Sequence, residues 1–447
     1  MSVPASLIEH TFLSVLALYV ALECALTIMQ TRAAERACTA VPKGFESKLS
    51  LAAVRKAADY TGDLAQANLL LTVMGAGFAL LMTFGHGLNV LTAVTQTALG
   101  PGIPAQWLLL VLIVLLMMLL ELPFGWWARF RVKERYGYMR EPRRHWLKRA
   151  LTEALWGWLL FMPAAATVLV IFEYAGERWW LLGWGLWCVY LVWRWRFSRV
   201  EGIFWARRSH SFANTDVRQA VGDLLARHGL IMTDMIVMTR PRSWDHSNVV
   251  LAGWGRKRRV VVFAHVAKLL SEDELLAIVA HEIGHVRHGH TFVRLLLHAS
   301  TSLLCCAFAG WGATHAVFFK GFNYAPMLTA DLSGTHAGYV LAIALVTFPV
   351  LLYPLTPFIN LISRLLQYDA DRYAARAVSR DAMIRALVRL HRDYSTSLTP
   401  SRLYSLFHYR RPHAGMRVAS LLKMKANPPA PSAVEADRST PSDSATH

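Results

Sequence analysis

The run Leu275-Leu276-Ala277-Ile278-Val279-Ala280-His281-Glu282-Ile283-Gly284-His285 holds the side chains best suited to chemistry in this chain. Residues four apart share one face of a helix, so His281 and His285 can offer two imidazole nitrogens to one Zn²⁺. Glu282 lies one position along and can reach a water beside that ion. Zinc lowers the pKa of such a water toward about 7, and a neighbouring carboxylate can then take its proton as it attacks a carbonyl. The chemistry implied is peptide-bond hydrolysis with Glu282 as general base. Two histidines leave coordination positions open, and a hydrolytic zinc site takes a third protein ligand. In the later run from Asn360 to Asp371, Gln367 and Asp371 are again four apart and share a face. Asp369 is about 200° round that helix from Gln367 and points elsewhere.

These residues need a framework. Ser271, with Glu274 three residues on, reads as a capping box opening the His281 helix. Upstream, 215–228 reads as a helix ended by Gly229, and Met235 to Met238, Val249 to Ala252 and Arg259 to Phe263 read as short strands. Downstream, a helix from about Leu361 to Ala377 leads into a second helical stretch. The tail from 427 is rich in Pro, Ser, Ala and Asp and reads as disordered.

The rest of the chain is apolar. Of 447 residues, 55% are hydrophobic and sixteen are tryptophan, whose rings favour the membrane–water boundary. An apolar helix needs about 20 residues to cross the hydrocarbon layer, and seven segments qualify: 9–29, 65–87, 106–127, 150–172, 179–196, 292–319 and 338–360. Soluble packing would require too many helices apolar on every face. The net charge of +18 is that of a nucleic-acid binder, but the basic residues crowd beside apolar segments, which excludes that class. The 30–63 connection carries six Lys or Arg and the 128–149 connection nine, while 88–105 carries none. With seven spans, both basic connections, the catalytic segment and the C-terminus fall on one side. The positive-inside bias makes that side cytoplasmic and places the N-terminus opposite. Five cysteines form no framework and no CxxC pair, and read as small packing residues.

The chain resembles the membrane zinc metallopeptidases of the type I CAAX prenyl protease kind, relatives of the HtpX protease. The resemblance rests on Val41-Pro42, on Leu122-Pro123-Phe124 with Glu134-Arg135-Tyr136-Gly137-Tyr138, and on Ser247-Asn248 before Gly253. It continues through His281 to His285 with His290, Ser363-Arg364 with Ala370-Asp371, and Leu403-Tyr404-Ser405 with His408-Tyr409, Pro412 and Arg417. It implies about seven transmembrane helices with a cytoplasmic, gluzincin-like α+β zinc peptidase domain. By position it makes His281, His285 and Gln367 the metal ligands, Glu282 the base, and Asp371 the acceptor that orients a ligating histidine. Arg417 would lie near the site and support the oxyanion or its neighbours, and the strand around Asn248 would pair with the substrate backbone. The expected organisation is a five-helix membrane domain over 1–196, a soluble catalytic part over 197–291 and two spans over 292–360. Catalytic helices over 361–426 and the tail over 427–447 complete it. The expected partners are Zn²⁺, the lipid bilayer and a peptide or protein substrate, membrane-associated or not, and no nucleic acid.

Three positions depart from the family pattern. Gln367 stands where the third ligand is a glutamate, Arg411 where a histidine is common, and Ala264-His265 where an Asp-Thr pair follows the central strand. A neutral amide binds zinc more weakly than a carboxylate, and His265 is a possible substitute ligand. Two readings therefore stand: a metalloendopeptidase, and a weakened or inactive relative that binds polypeptide or lipidated segments without cleaving them.

Overall fold

The computed structural model describes residues 4–37, 41, 45–46, 49–137, 142–197, 209–238, 249–324, 337–392, 398 and 400–424. The chain divides into two compact units: Met1–Phe204, Gly289–Leu366 and Arg392–His413 form the first, and Trp205–His288, Gln367–His391 and Ala414–His447 the second.

The first unit is helical. It opens with α1 (Ala5–Ala37), α2 (Leu51–Met82), α3 (Gly87–Leu99), α4 (Ile103–Trp127), α5 (Arg143–Ala175) and α6 (Trp179–Phe197). Five helices among the described residues are long and apolar enough to cross a membrane, and six if one bent pair is counted, against the seven expected. The difference lies in 143–195, a single helical run of 53 residues that contains two of the expected spans. That run turns back at Gly176, whose φ is +55°. A Cβ on Gly183 would sit 2.8 Å from the Phe172 ring, whereas eleven residues of straight helix span about 16 Å.

Many apolar side chains of this unit point outward, among them Leu18, Leu71, Leu81, Leu119, Trp156, Leu160 and Val192. Other faces of the first and fourth helices are buried, around Phe12, Leu109 and Ile113, together with Phe318, Val340 and Ile343 from later in the chain. Such two-sided apolarity is what a lipid environment demands. The expected connections prove partly helical. Arg32, Arg36, Arg55 and Lys56 lie on α1 and α2, and α3 occupies most of 88–105. Apolar composition marks hydrocarbon depth, and a helix can continue past it on Lys and Arg, which are good helix formers.

The second unit contributes β1 (Ser209–Ser211), α7 (Thr215–Arg227), β2 (Ile231–Met238), β3 (Val249–Ala252) and β4 (Lys257–Phe263). Then come α8 (Ala264–Leu269) and α9 (Glu272–Arg287). The sheet order is β1-β2-β4-β3; β2 runs parallel to β4, and β3 pairs antiparallel with β4 from Val249 opposite Val262 to Ala252 opposite Arg259. The β3–β4 turn needs Gly253 (φ +117°), because a Cβ there would lie 2.5 Å from the Lys257 carbonyl oxygen. Strand β1 was not expected; three polar residues give no alternation to read.

Back in the first unit are α10 (His290–Thr314), α11 (Ala316–Gly321) and α12 (Ala337–Leu351). The last expected span, 338–360, is broken: α12 and the following helix meet at 42°, around a 3₁₀ turn at Tyr353–Leu355. Pro349 and Pro354 each remove a backbone donor there. Helix α13 (Thr356–Ala374) then runs into a π turn at Ala375–Ser379 and α14 (Arg380–Arg392), followed by α15 (Arg402–His408) and α16 (Ala414–Leu422). The expected tail from 427 lies outside the described residues.

Candidate active site

Helix α9 begins with both halves of its capping box in place, Ser271 and Glu274 serving each other's backbone. Glu274 is wholly buried. Its carboxylate accepts from the Ser271 amide at 3.0 Å and meets the Arg389 guanidinium of α14, also at 3.0 Å. An unpaired carboxylate could not be buried so deeply. Ala277, Val279, Ala280 and Ile283 are fully buried as well, so α9 is held on several sides. Burying each of the larger apolar side chains contributes about 1.5–3 kcal/mol.

The residues of interest lie at the C-terminal half of α9 and on the Gln367–Ala374 part of α13. The two helices approach closely because Gly284 has no side chain: a Cβ there would lie 3.0 Å from the Tyr373 Cβ. The Tyr373 hydroxyl in turn meets His228 Nδ1 at 2.7 Å. His281 and His285 stand edge to face, with ring centroids 4.8 Å apart.

Asp371, buried, brings two partners together. Its Oδ1 lies 2.8 Å from His281 Nδ1, and it accepts two hydrogen bonds from Arg417 of α16, at 2.7 and 2.5 Å. Burial would raise the Asp371 carboxyl, but the Arg417 guanidinium outweighs it and holds the group well below the usual carboxylate range. Burial also works against the Arg417 charge; the Asp371 carboxylate, with that of Glu282 behind it, more than restores it. His281 therefore faces a carboxylate through Nδ1, and with the ring proton on that nitrogen Nε2 presents its lone pair.

Gln367 is buried one turn before Asp371, its amide nitrogen 3.4 Å from His285 Nε2. The amide's oxygen and nitrogen are alike in shape, so a half-turn presents Oε1 instead. The donor set is then two imidazole nitrogens and an amide oxygen, with Glu282 beside them only partly buried. Three such donors, with one position left for water, fit the coordination zinc takes in hydrolases. Asp369 turns away, pairing with His288 and Arg372. His265 sits in the first turn of α8, where a strand end was expected, its ring 6.3 Å from that of Phe263. Asn248 lies outside the described residues. Sequence reasoning missed Tyr373, His228 and Arg389. The visible signal was Gly284, since a glycine inside a helix costs about 1 kcal/mol and needs a reason.

A multi-pass helical bundle joined to a small sheet with an HExxH helix defines a class: integral membrane metallohydrolases. Residues 30–194 match the family model described as CAAX prenyl protease N-terminal, five membrane helices, and residues 211–425 match that of peptidase family M48. The chain is 23% identical over 300 residues to a probable CAAX prenyl protease 1 of Schizosaccharomyces pombe, covering 66% of this chain and 60% of that one. It is 22% identical to an uncharacterized metalloprotease of Bacillus subtilis, over 67% of this chain and 69% of the relative. A crystal structure of Ste24p from S. mikatae superposes with a TM-score of 0.77 at 19% identity, covering 94% of this chain and 100% of that one. With its two regions matched in order, the chain belongs to peptidase family M48, preceded by the five-helix CAAX prenyl protease N-terminal region.

Proposed function

We propose that this protein cleaves peptide bonds with His281, His285 and Gln367 holding zinc and Glu282 as general base. What supports this reading most is the Asp371 contact with His281, which a helix carrying two incidental histidines would not need. Zinc, when bound, supplies a Lewis acid that makes a water acidic and polarises a peptide carbonyl. Glu282 takes the proton of the attacking water and passes it to the leaving amine. Asp371 keeps His281 in register, and Arg417 adds positive charge where the carbonyl oxygen becomes negative.

The substrate is a peptide or protein chain, membrane-associated in keeping with the fold. Its backbone would lie along β3, which pairs only with β4 among the described residues and so has a free edge. This reading also assigns Asn248 to substrate binding. The turn at Gly176 divides 143–195 into two crossing arms and, with the bent pair counted once, supports seven spans. The loop charges then put the site and the C-terminus in the cytoplasm and the N-terminus opposite.

The second reading, a binder that does not cut, is favoured only by Gln367. The test is zinc content and peptide cleavage of the purified chain before and after chelation, with zinc added back. Cleavage lost and restored with the metal supports a peptidase; zinc bound without cleavage supports the binder. Reporters after His447 and near Pro101 should report opposite sides of the membrane, and the same side for both would overturn the topology.

A further inference from the structure

At its C-terminal end α4 changes character. Pro123 lies within the helix, and the chain continues as a π turn over Ala128–Lys133. Such turns re-aim side chains and recur at functional sites. The start of α5 packs alongside: the Trp146 ring lies 5.6 Å from Trp126 and 5.5 Å from Phe130, and a Cβ on Gly125 would meet it at 3.7 Å. Over this aromatic floor is a cavity of about 530 Å³, lined by Trp126, Trp127 and Phe130 and by the charged groups of Arg131, Glu134, Arg135 and Arg143.

The charges are unequal. Glu134 takes Arg143 at 2.6 Å, and the Arg143 guanidinium also lies 5.6 Å over the Phe130 ring. Arg135 pairs with Asp63 at 3.0 Å. Arg131 is exposed and has no ion-pair partner among the described residues. The lining thus offers three guanidiniums against one carboxylate, with one guanidinium uncommitted. It stands where an apolar helix ends, beside the exposed Trp127 ring, and exposed Leu119 lies two turns back along α4. Indole rings settle at headgroup depth, and basic clusters just outside a span attract anionic lipids.

We propose that this cavity binds the headgroup of an anionic phospholipid. The lipid phosphate would rest on Arg131, the polar headgroup over the aromatic floor, and the acyl chains along the outer face of α4. Arg135 and Arg143, each paired with a carboxylate, complete the lining. A soluble anion would use the charge but leave the exposed apolar face of α4 unused, so the occupant is a lipid.

The test is native mass spectrometry of the full-length chain in detergent, titrated with phosphatidylglycerol, phosphatidylcholine or inorganic phosphate. One phosphatidylglycerol should be retained under activation that strips phosphatidylcholine. Arg131→Gln should weaken that retention about fivefold, the effect of one basic group near a lipid surface. Arg144→Gln, at an exposed arginine next to the cavity lining, should not change it. Arg131 holds no other side chain in place, so the variant should fold. Equal retention of the two lipids would overturn the proposal, as would equal losses in both variants, which means diffuse charge alone. Displacement by inorganic phosphate as readily as by lipid would overturn it too, since a free anion would then suffice.

Discussion

Gly284 and Tyr373 touch where α9 crosses α13, and a Cβ on Gly284 would lie 3.0 Å from the Tyr373 Cβ and 3.1 Å from its ring. That crossing sets His281 and His285 against Gln367 and Asp371. Gly284→Ala should therefore push the helices apart by a few tenths of an ångström. Alanine's better helix propensity is worth up to about 1 kcal/mol, against about 1–3 kcal/mol for overpacking. The expected outcome is a modest fall in thermal stability with a larger fall in zinc affinity, read by zinc-buffer titration. Unchanged affinity would mean that the spacing of the two helices does not tune the site.

How much of this was legible in the sequence follows from what each signal reports. Ser271 and Glu274 form a local motif, and the structure has that capping box. Helix α7 and strands β2 to β4 follow from periodicity and glycine stops. Hydropathy located the membrane segments but not helix ends, because it reads depth in lipid, while Arg55 or Arg143 continues a helix well outside it. The break between α12 and α13 needed the prolines, which hydropathy averages away. The contact of Tyr373 with His228 joins positions 145 apart, and neither residue carries a motif. Such pairings emerge only from the packed fold.

Gln367 is the next test. Its amide lies against His285 where a carboxylate would place a negative charge beside a dication. At an effective dielectric near 20, that charge is worth on the order of several kcal/mol before desolvation is subtracted. Gln367→Glu should tighten zinc binding at least tenfold and raise peptide hydrolysis. Titration of both forms in zinc buffers, beside a cleavage assay, gives the answer. If neither quantity moves, Gln367 is not a ligand, and His265 becomes the candidate to examine.

His391 carries the pH dependence. Burial in α14 pulls its pKa down from 6.5 to about 4, so the folded protein keeps it neutral where the unfolded chain takes up a proton. The stability it supports is complete above about pH 6.5 and is lost as pH falls toward about 4, a loss on the order of 3 kcal/mol. Thermal unfolding in detergent should show this fall, and His391→Phe should flatten it. A wild-type melting temperature flat between those pH values would contradict the assignment.

The most direct measurement of the catalytic account is made on Glu282→Gln. The change removes the base and leaves His281, His285, Gln367 and Asp371 as they are. Peptide cleavage and bound zinc are measured on the same preparation, beside the wild type. The account predicts wild-type zinc content and a loss of cleavage of at least a hundredfold, the scale of general base catalysis. Undiminished cleavage by Glu282→Gln, with zinc retained, would contradict it.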